Sequence, residues 1–335
     1  MHHIEVVSQL EGPHLAQLPE LVDAATRADG HEPIGEHKFL RLKRGGDLGV
    51  AVLAFEERRL AGYAHTLTFG EGDGRRVSCE FVVHPDLRRR GVGRMLLSHA
   101  LMHAVSQGAA RIDAWAYNDA PASAHLAAQF GFAPARRLYH LHRHAGAQAD
   151  APDGPPAPAP SGARPTGPLG LRPFRPGEDD GRWLAHNNRI FASHPENGAW
   201  TLDDLRARMA QPWFAPRDFL LLEAEGRLAG FCWVKVDERG DDGRVGEIYV
   251  IGVAPEQRGR GFARFLLTTA LGHMATRGAR TAAVYVDATN APALALYEAA
   301  GFHRHHVDIC YTRDLRVAGH GTAGPARPDE AQAAA

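Results

Sequence analysis

The sequence predicts an α+β fold built twice in tandem, and three observations predict it. First, Val82-Val83-His84-Pro85-Asp86-Leu87-Arg88-Arg89-Arg90-Gly91-Val92-Gly93-Arg94 is repeated, loosely, as Gly252-Val253-Ala254-Pro255-Glu256-Gln257-Arg258-Gly259-Arg260-Gly261-Phe262-Ala263-Arg264. Second, the offset of 170 positions (261 − 91) that relates Gly91 to Gly261 also carries Pro85 to Pro255, Gly108 to Gly278 and Gly131-Phe132 to Gly301-Phe302. A repeat of that length is a duplicated domain, because solenoid units run about 20–50 residues. Third, each copy reads as helices, then hairpin strands, then strand–helix–strand–helix–strand. That order makes a mixed, mostly antiparallel sheet with flanking helices.

Each half opens on a helical segment. In the first, Leu15, Leu18, Leu21, Val22 and Ala25 recur at helical spacing; in the second, Trp183, Leu184, Asn187 and Ile190-Phe191 do so. Thr201, just ahead of Leu202-Asp203-Asp204-Leu205, has the position of a helix N-cap. Strands are expected at 48–53 and 61–67, matched by 219–222 and 228–234, with turns at 56–59 and 223–227. The strands 79–83 and 247–253 run into the Arg/Gly motif, and a helix follows it. A further strand (112–116; 282–286), a helix, the Gly-Phe pair and a last strand (138–141; 307–311) complete each copy.

Residues 145–168 are Ala, Pro, Gly and Asp with almost no large apolar side chain, and Pro155 to Pro160 is a Pro/Ala run. Such a stretch is extended and buries no core, so it reads as a linker. The expected domains are therefore 1–144 and 169–317, with a disordered tail over 318–335.

With a formal net charge of −1, the chain gives no reason to expect nucleic acid or an anionic membrane as partner. No apolar run is long enough to span a bilayer, and the first residues lack a signal-peptide pattern. Cys79, Cys232 and Cys310 are far apart in apolar contexts, so buried reduced thiols in a cytoplasmic protein are expected; a monomer is expected as well. Two histidine runs, His140-Leu141-His142-Arg143-His144 and His303-Arg304-His305-His306, lack carboxylate or cysteine at metal spacing. They read as solvated faces, and no metal is expected.

The repeated motif lies between a strand and a helix. A helix start exposes unpaired N–H groups and the positive end of the dipole. Small residues let a phosphate approach that backbone, and Arg adds charge and forked donors. No Gly-Lys-Ser/Thr follows, so this is not a P-loop. It lacks the third Gly and the ribose-binding acid of a dinucleotide fingerprint as well.

This arrangement resembles the GNAT superfamily of acetyl-CoA-dependent N-acetyltransferases, in tandem, over most of the chain outside the linker and tail. The resemblance implies acetyl-CoA as co-substrate. It implies that the motif holds the CoA pyrophosphate and that the preceding strand, splayed from its neighbour, holds the pantetheine arm. The implied cofactor residues are Val82, Val83, Arg88, Arg89, Arg90, Gly91, Val92, Gly93 and Arg94 in the first half. In the second they are Ile251, Gly252, Val253, Arg258, Gly259, Arg260, Gly261, Phe262, Ala263, Arg264 and Asn290. Tyr297, seven residues past Asn290, is implied as the general acid at the thioester sulfur, and Glu247 as the base for the attacking amine. The offset takes Tyr297 to Ala127, Asn290 to Ala120 and Glu247 to Val77, so the second half is expected to be catalytic. The first is expected to bind acetyl-CoA without turnover or to act as scaffold.

More specific stretches resemble a tandem branch of that superfamily whose acceptor is cysteinyl-glucosaminyl-inositol. They are His194-Pro195-Glu196-Asn197-Gly198-Ala199-Trp200-Thr201, Gly230-Phe231-Cys232-Trp233-Val234-Lys235-Val236, Gly246-Glu247-Ile248-Tyr249-Val250-Ile251-Gly252-Val253 and Tyr285-Val286-Asp287-Ala288-Thr289-Asn290. Carried over, Glu36, Glu196, Lys235, Glu247 and Tyr285 are implied as contacts to a small pseudo-disaccharide. Acetylation of a protein N-terminus or an aminoglycoside, and a non-catalytic acyl-CoA-binding protein, stay open as alternatives at the level of sequence.

Overall fold

The computed structural model describes residues 2–10, 12–35, 49–144, 169–192, 198–237 and 244–316. The expected linker and tail, and the candidate contacts Glu36 and Glu196, lie outside the described residues. No helix among the described residues is long and apolar enough to cross a membrane.

The chain forms two compact units. The first comprises residues 1–116, 120–135 and 310–335; the second comprises residues 117–119 and 136–309. In the first unit the elements are β1 (His2–Val7), α1 (Pro13–Asp29), β2 (Gly49–Glu56), β3 (Arg59–Phe69), β4 (Arg76–Val83), α2 (Val92–Ser106), β5 (Arg111–Ala116) and α3 (Pro121–Gln129). The strand order is β1-β2-β3-β4-β5, antiparallel except for the parallel pair β4–β5. Strand alternation divides the core between two faces. Leu53, Tyr63 and Val82 pack with Leu18, Leu21 and Ala25 of α1, while Val52, Ala54, Ala61 and Ala64 pack with Val92 and Leu96 of α2.

The second unit contains β6 (Ala133–His144), β7 (Leu169–Pro173), α4 (Asp180–Ile190), α5 (Leu202–Met209), β8 (Phe219–Ala224), β9 (Arg227–Asp237), β10 (Arg244–Val253), α6 (Phe262–Thr276), β11 (Ala279–Asp287), α7 (Ala291–Ala299) and β12 (His303–Asp314). The order here is β12-β6-β11-β10-β9-β8-β7, with β10–β11 the parallel pair. One face carries an aromatic cluster: Trp183, Trp200, Phe219, Phe231 and Trp233, with Phe219 stacked on Trp233 at 4.4 Å between ring centroids. The other face packs Val234, Ile248 and Val284 against Phe262 and Leu266 of α6 and Tyr297 of α7. Thr201 caps α5 as expected, in a reciprocal capping box with Asp204.

Two features differ from the sequence expectation. Strands β1 and β7 precede the opening helix of each copy. Both are short and have few large apolar residues, so neither announces itself. The units also do not follow the sequence halves. Residues 138–144 of β6 pair with 281–287 of β11 and so count with the second unit. Residues 310–314 of β12 count with the first unit, where the Thr312 hydroxyl donates to Asp113 at 2.6 Å.

Candidate active site

The second unit's site begins with a defect in β10. This strand pairs with β9 through Val253↔Gly230, but its parallel pairing with β11 ends at Ile248↔Val284. Beyond Ile248 the strands part, and the β11-facing backbone of β10 is left open to a ligand. The register with β9 also slips between Ile248 and Val250, which makes Tyr249 the extra residue of a β-bulge. The slip reverses the parity of the strand. Ile248 and Ile251 both join the α6/α7 cluster, whereas Tyr249 and Val250 join the aromatic cluster. Glu247 precedes the bulge and alternates with Ile248, so it lies on the aromatic face.

Glu247 is half-buried and directly opposite Lys235 of β9 and Ala283 of β11. Paired residues share a face, so Lys235, Glu247 and Ala283 form a row across the sheet. The Lys235 ammonium is 5.3 Å from the centre of the Trp213 ring. Tyr285, two residues past Ala283, is 44% exposed on that face and stacks on His140 at 4.1 Å.

Tyr297 reaches the gap from the opposite face. Its residue is 4% exposed, and burial, followed by the nearby Cys232 thiol, pushes the phenol above its ordinary range. The phenol is therefore protonated throughout the physiological range. Cys232 sits opposite Ile251 at the mouth of the splay, and burial lifts its thiol to about 12. Helix α7 is fixed ahead of Tyr297: Asp287 accepts from the Thr289 amide at 2.9 Å and from Arg136 at 3.0 Å, and the Asn290 side chain caps Ala293 N–H at 3.2 Å.

The motif after β10 supplies a bare helix start. Gly261, at φ 81°, is the N-cap of α6, and no side chain caps it. The amides of Phe262, Ala263 and Arg264 are thus available to an anion, as pyrophosphate binding requires. Gly230, beneath this turn, admits it; a Cβ there would stand 2.7 Å from the Gly252 carbonyl and 3.1 Å from Leu266. Arg260 is tied to Glu225 at 3.0 Å, but Arg258 and Arg264 make no ion pair among the described residues.

The first unit repeats the scaffold without the chemistry. Pairing of β4 with β5 ends at Cys79↔Ala114, and Gly91, at φ 88°, begins α2 without a side-chain cap. Ala127 stands where α7 has Tyr297, and Ala120 replaces Asn290 at the N-cap. Because β4 has no bulge, the counterpart of Glu247 is Ser78, one residue from the Val77 that the constant offset selects. Neither is a carboxylate. Glu80 is buried and accepts from Gly35 N–H at 2.8 Å. Arg88 donates both terminal nitrogens to Asp29 at 2.7 Å, and Arg90 is 3.3 Å from Glu56.

Three features escaped the sequence. The Tyr249 bulge has no residue signature. Arg208, buried over the Trp200 ring, donates to the Tyr249 hydroxyl at 3.0 Å, yet reads as a surface charge of α5. Gly62 and Gly230 occupy the same register position, opposite the last residue of β4 or β10, but their 168-residue separation hides them from the 170-residue repeat. The two histidine runs also meet, because β6 and β12 are neighbours; His144, His303 and His305 are exposed, while His140, His142 and His306 are half-buried.

The comparisons agree with this geometry. A model of the Acetyltransferase (GNAT) family matches residues 16–132 and 185–302. The chain is 42% identical to "Mycothiol acetyltransferase" of Thermobispora bispora over 88% of its own length and 94% of the relative's. It is 38% identical to the protein of that name from Acidothermus cellulolyticus, over 96% and 97%. Among solved structures, a tandem GNAT protein from the clavulanic acid biosynthesis pathway aligns with a TM-score of 0.67 at 17% identity, covering 94% of this chain and 98% of that one. A GCN5-related N-acetyltransferase from Sphaerobacter thermophilus aligns with a TM-score of 0.61 at 24% identity, over 94% and 96%. The chain belongs to the Acetyltransferase (GNAT) family and, within it, to the mycothiol acetyltransferases.

Proposed function

We propose that the protein transfers acetyl from acetyl-CoA to the cysteinyl amine of cysteinyl-glucosaminyl-inositol, and that the second half performs the transfer. The observation that carries this is the pairing of Glu247 and Tyr297 on opposite faces of the β10/β11 gap, against Ser78 and Ala127 in the first half. The uncapped start of α6 and the open edge of Ile251 to Val253 suit the pyrophosphate and the pantetheine amides. Glu247 takes the proton of the attacking amine, directly or through water. An α-amino group, with a reference pKa of about 8, needs only a carboxylate for this. Tyr297 gives its proton to the departing sulfur. Lys235 and Tyr285, on Glu247's face, suit a polyol, which needs directional donors and acceptors.

The test is acceptor-dependent CoA release with that acceptor beside a peptide panel and an aminoglycoside. Only the cysteinyl acceptor should turn over. Tyr297→Phe should cut kcat about 100-fold or more while the KM for acetyl-CoA stays within about threefold, and Glu247→Gln should lower the rate most at acid to neutral pH. Undiminished turnover in Tyr297→Phe removes the acid role. A second acceptor used equally well removes the substrate assignment.

A further inference from the structure

We propose that the histidines of β6 and β12 form a transition-metal site, with His140, His142 and His305 as ligands for Zn²⁺. One ring nitrogen from each of the three lies within 4.8 Å of the other two. The rings are crowded: His142 stacks on His305 at 4.0 Å between centroids, and His140 meets His142 edge-on at 4.6 Å. A fourth imidazole adjoins them. Nδ1 of His306 is 3.2 Å from Nδ1 of His140 and 2.9 Å from Nδ1 of His305. A tetrahedral zinc with Zn–N bonds of about 2.0–2.1 Å holds its ligand nitrogens about 3.3–3.4 Å apart. The nitrogens of His140, His142 and His305, within 4.8 Å of one another, reach that spacing by side-chain rotation.

Two further observations describe the surroundings of the three ligands. A buried carboxylate backs the cluster: Asp308 Oδ1 is 3.5 Å from Nε2 of His306 and also accepts from the Asn118 amide at 3.0 Å. Asp308 favours the proton on Nε2 of His306, which leaves the His306 Nδ1 lone pair facing His140 and His305. His305 is exposed and gives the ion an entry path.

The site is on the face that carries Glu247. His142 is opposite Ala283, which is opposite Glu247, so two strand spacings, about 10 Å, separate them. It is independent of the acetyl-transfer reading, because it uses neither Glu247 nor Tyr297.

The experiment is zinc titration of the full chain, without an added histidine tag, after chelator treatment, followed by isothermal calorimetry. One Zn²⁺ per chain is expected, with a Kd of about 1 µM or tighter, and the double variant His142→Asn/His305→Asn should lose at least about 100-fold in affinity. Co²⁺ substitution of the unmutated chain should give the intense visible absorption of a tetrahedral nitrogen site, a readout that does not depend on the variant folding. Weak octahedral Co²⁺ absorption, no saturable zinc binding, or unchanged affinity in a folded double variant would each overturn the proposal.

Discussion

At the scale of single residues, the two copies answer one backbone demand differently. The motif loop needs a positive φ two residues before its N-cap glycine, and the second copy meets it with Gly259 at 77°. The first copy places Arg89 there at 63°. A side chain in the left-handed region costs about 1–2 kcal/mol. Gly259→Ala should therefore destabilise the second unit by about 1 kcal/mol and no more, because an added Cβ meets nothing within 4 Å. Gly230→Ala is the contrasting case. Its Cβ would strike the Gly252 carbonyl at 2.7 Å, where only backbone movement relieves it. That variant should lose more stability, about 1–3 kcal/mol, and should raise the KM for acetyl-CoA by displacing α6 from β10. Urea denaturation with initial-rate kinetics checks both.

At the scale of elements, legibility followed range. Helix α5 was readable because its capping box is local: Thr201 and Asp204 are three residues apart. Tyr297 and Ala127 could be compared because both helices obey the offset. The Tyr249 bulge was not readable, since it is defined by pairing with Trp233 and Val234, and it moved the counterpart of Glu247 from Val77 to Ser78. The histidines were hidden for the same reason: each run alone lacks a ligand set, and only the pairing of β6 and β12 assembles one. That pairing has a pH consequence. His140 faces His142, His305, His306 and Tyr285, with Asp308 behind His306. The folded pKa values of His140 and His142 lie below the ordinary value of about 6.5. As pH falls below about 6.5 the unfolded chain takes up protons that the folded chain refuses, so stability present above 6.5 is lost progressively toward pH 4. In chelator-treated protein, the denaturation midpoint should fall between pH 6.5 and 4.5, and it should fall less steeply in His142→Asn. Parallel profiles would mean that His142 titrates normally in the folded state.

At the scale of the whole molecule, duplication leaves two phosphate-type turns and one set of catalytic groups. Both turns have the left-handed glycine, the bare helix start and the splayed strand pair. They differ in their charge. Arg88 is held in a two-pronged pair by Asp29, whereas Arg258 has no ion-pair partner among the described residues and is available to a pyrophosphate. An anion entering the first turn must compete with a carboxylate for Arg88, and the desolvation of that pair opposes it. The second turn presents no such competitor. Acetyl-CoA should therefore bind the second unit more tightly, with the first filled weakly or not at all. Gly261→Glu places a carboxylate at the mouth of the α6 turn and strains its positive φ, so it should abolish tight binding and turnover together. Gly91→Glu, the matching change in the first unit, should leave kcat within about twofold and remove only a weak second binding phase, if calorimetry resolves one. Loss of turnover in a folded Gly91→Glu variant would mean that the first turn has a part in the reaction, and the assignment of catalysis to the second half alone would then fail.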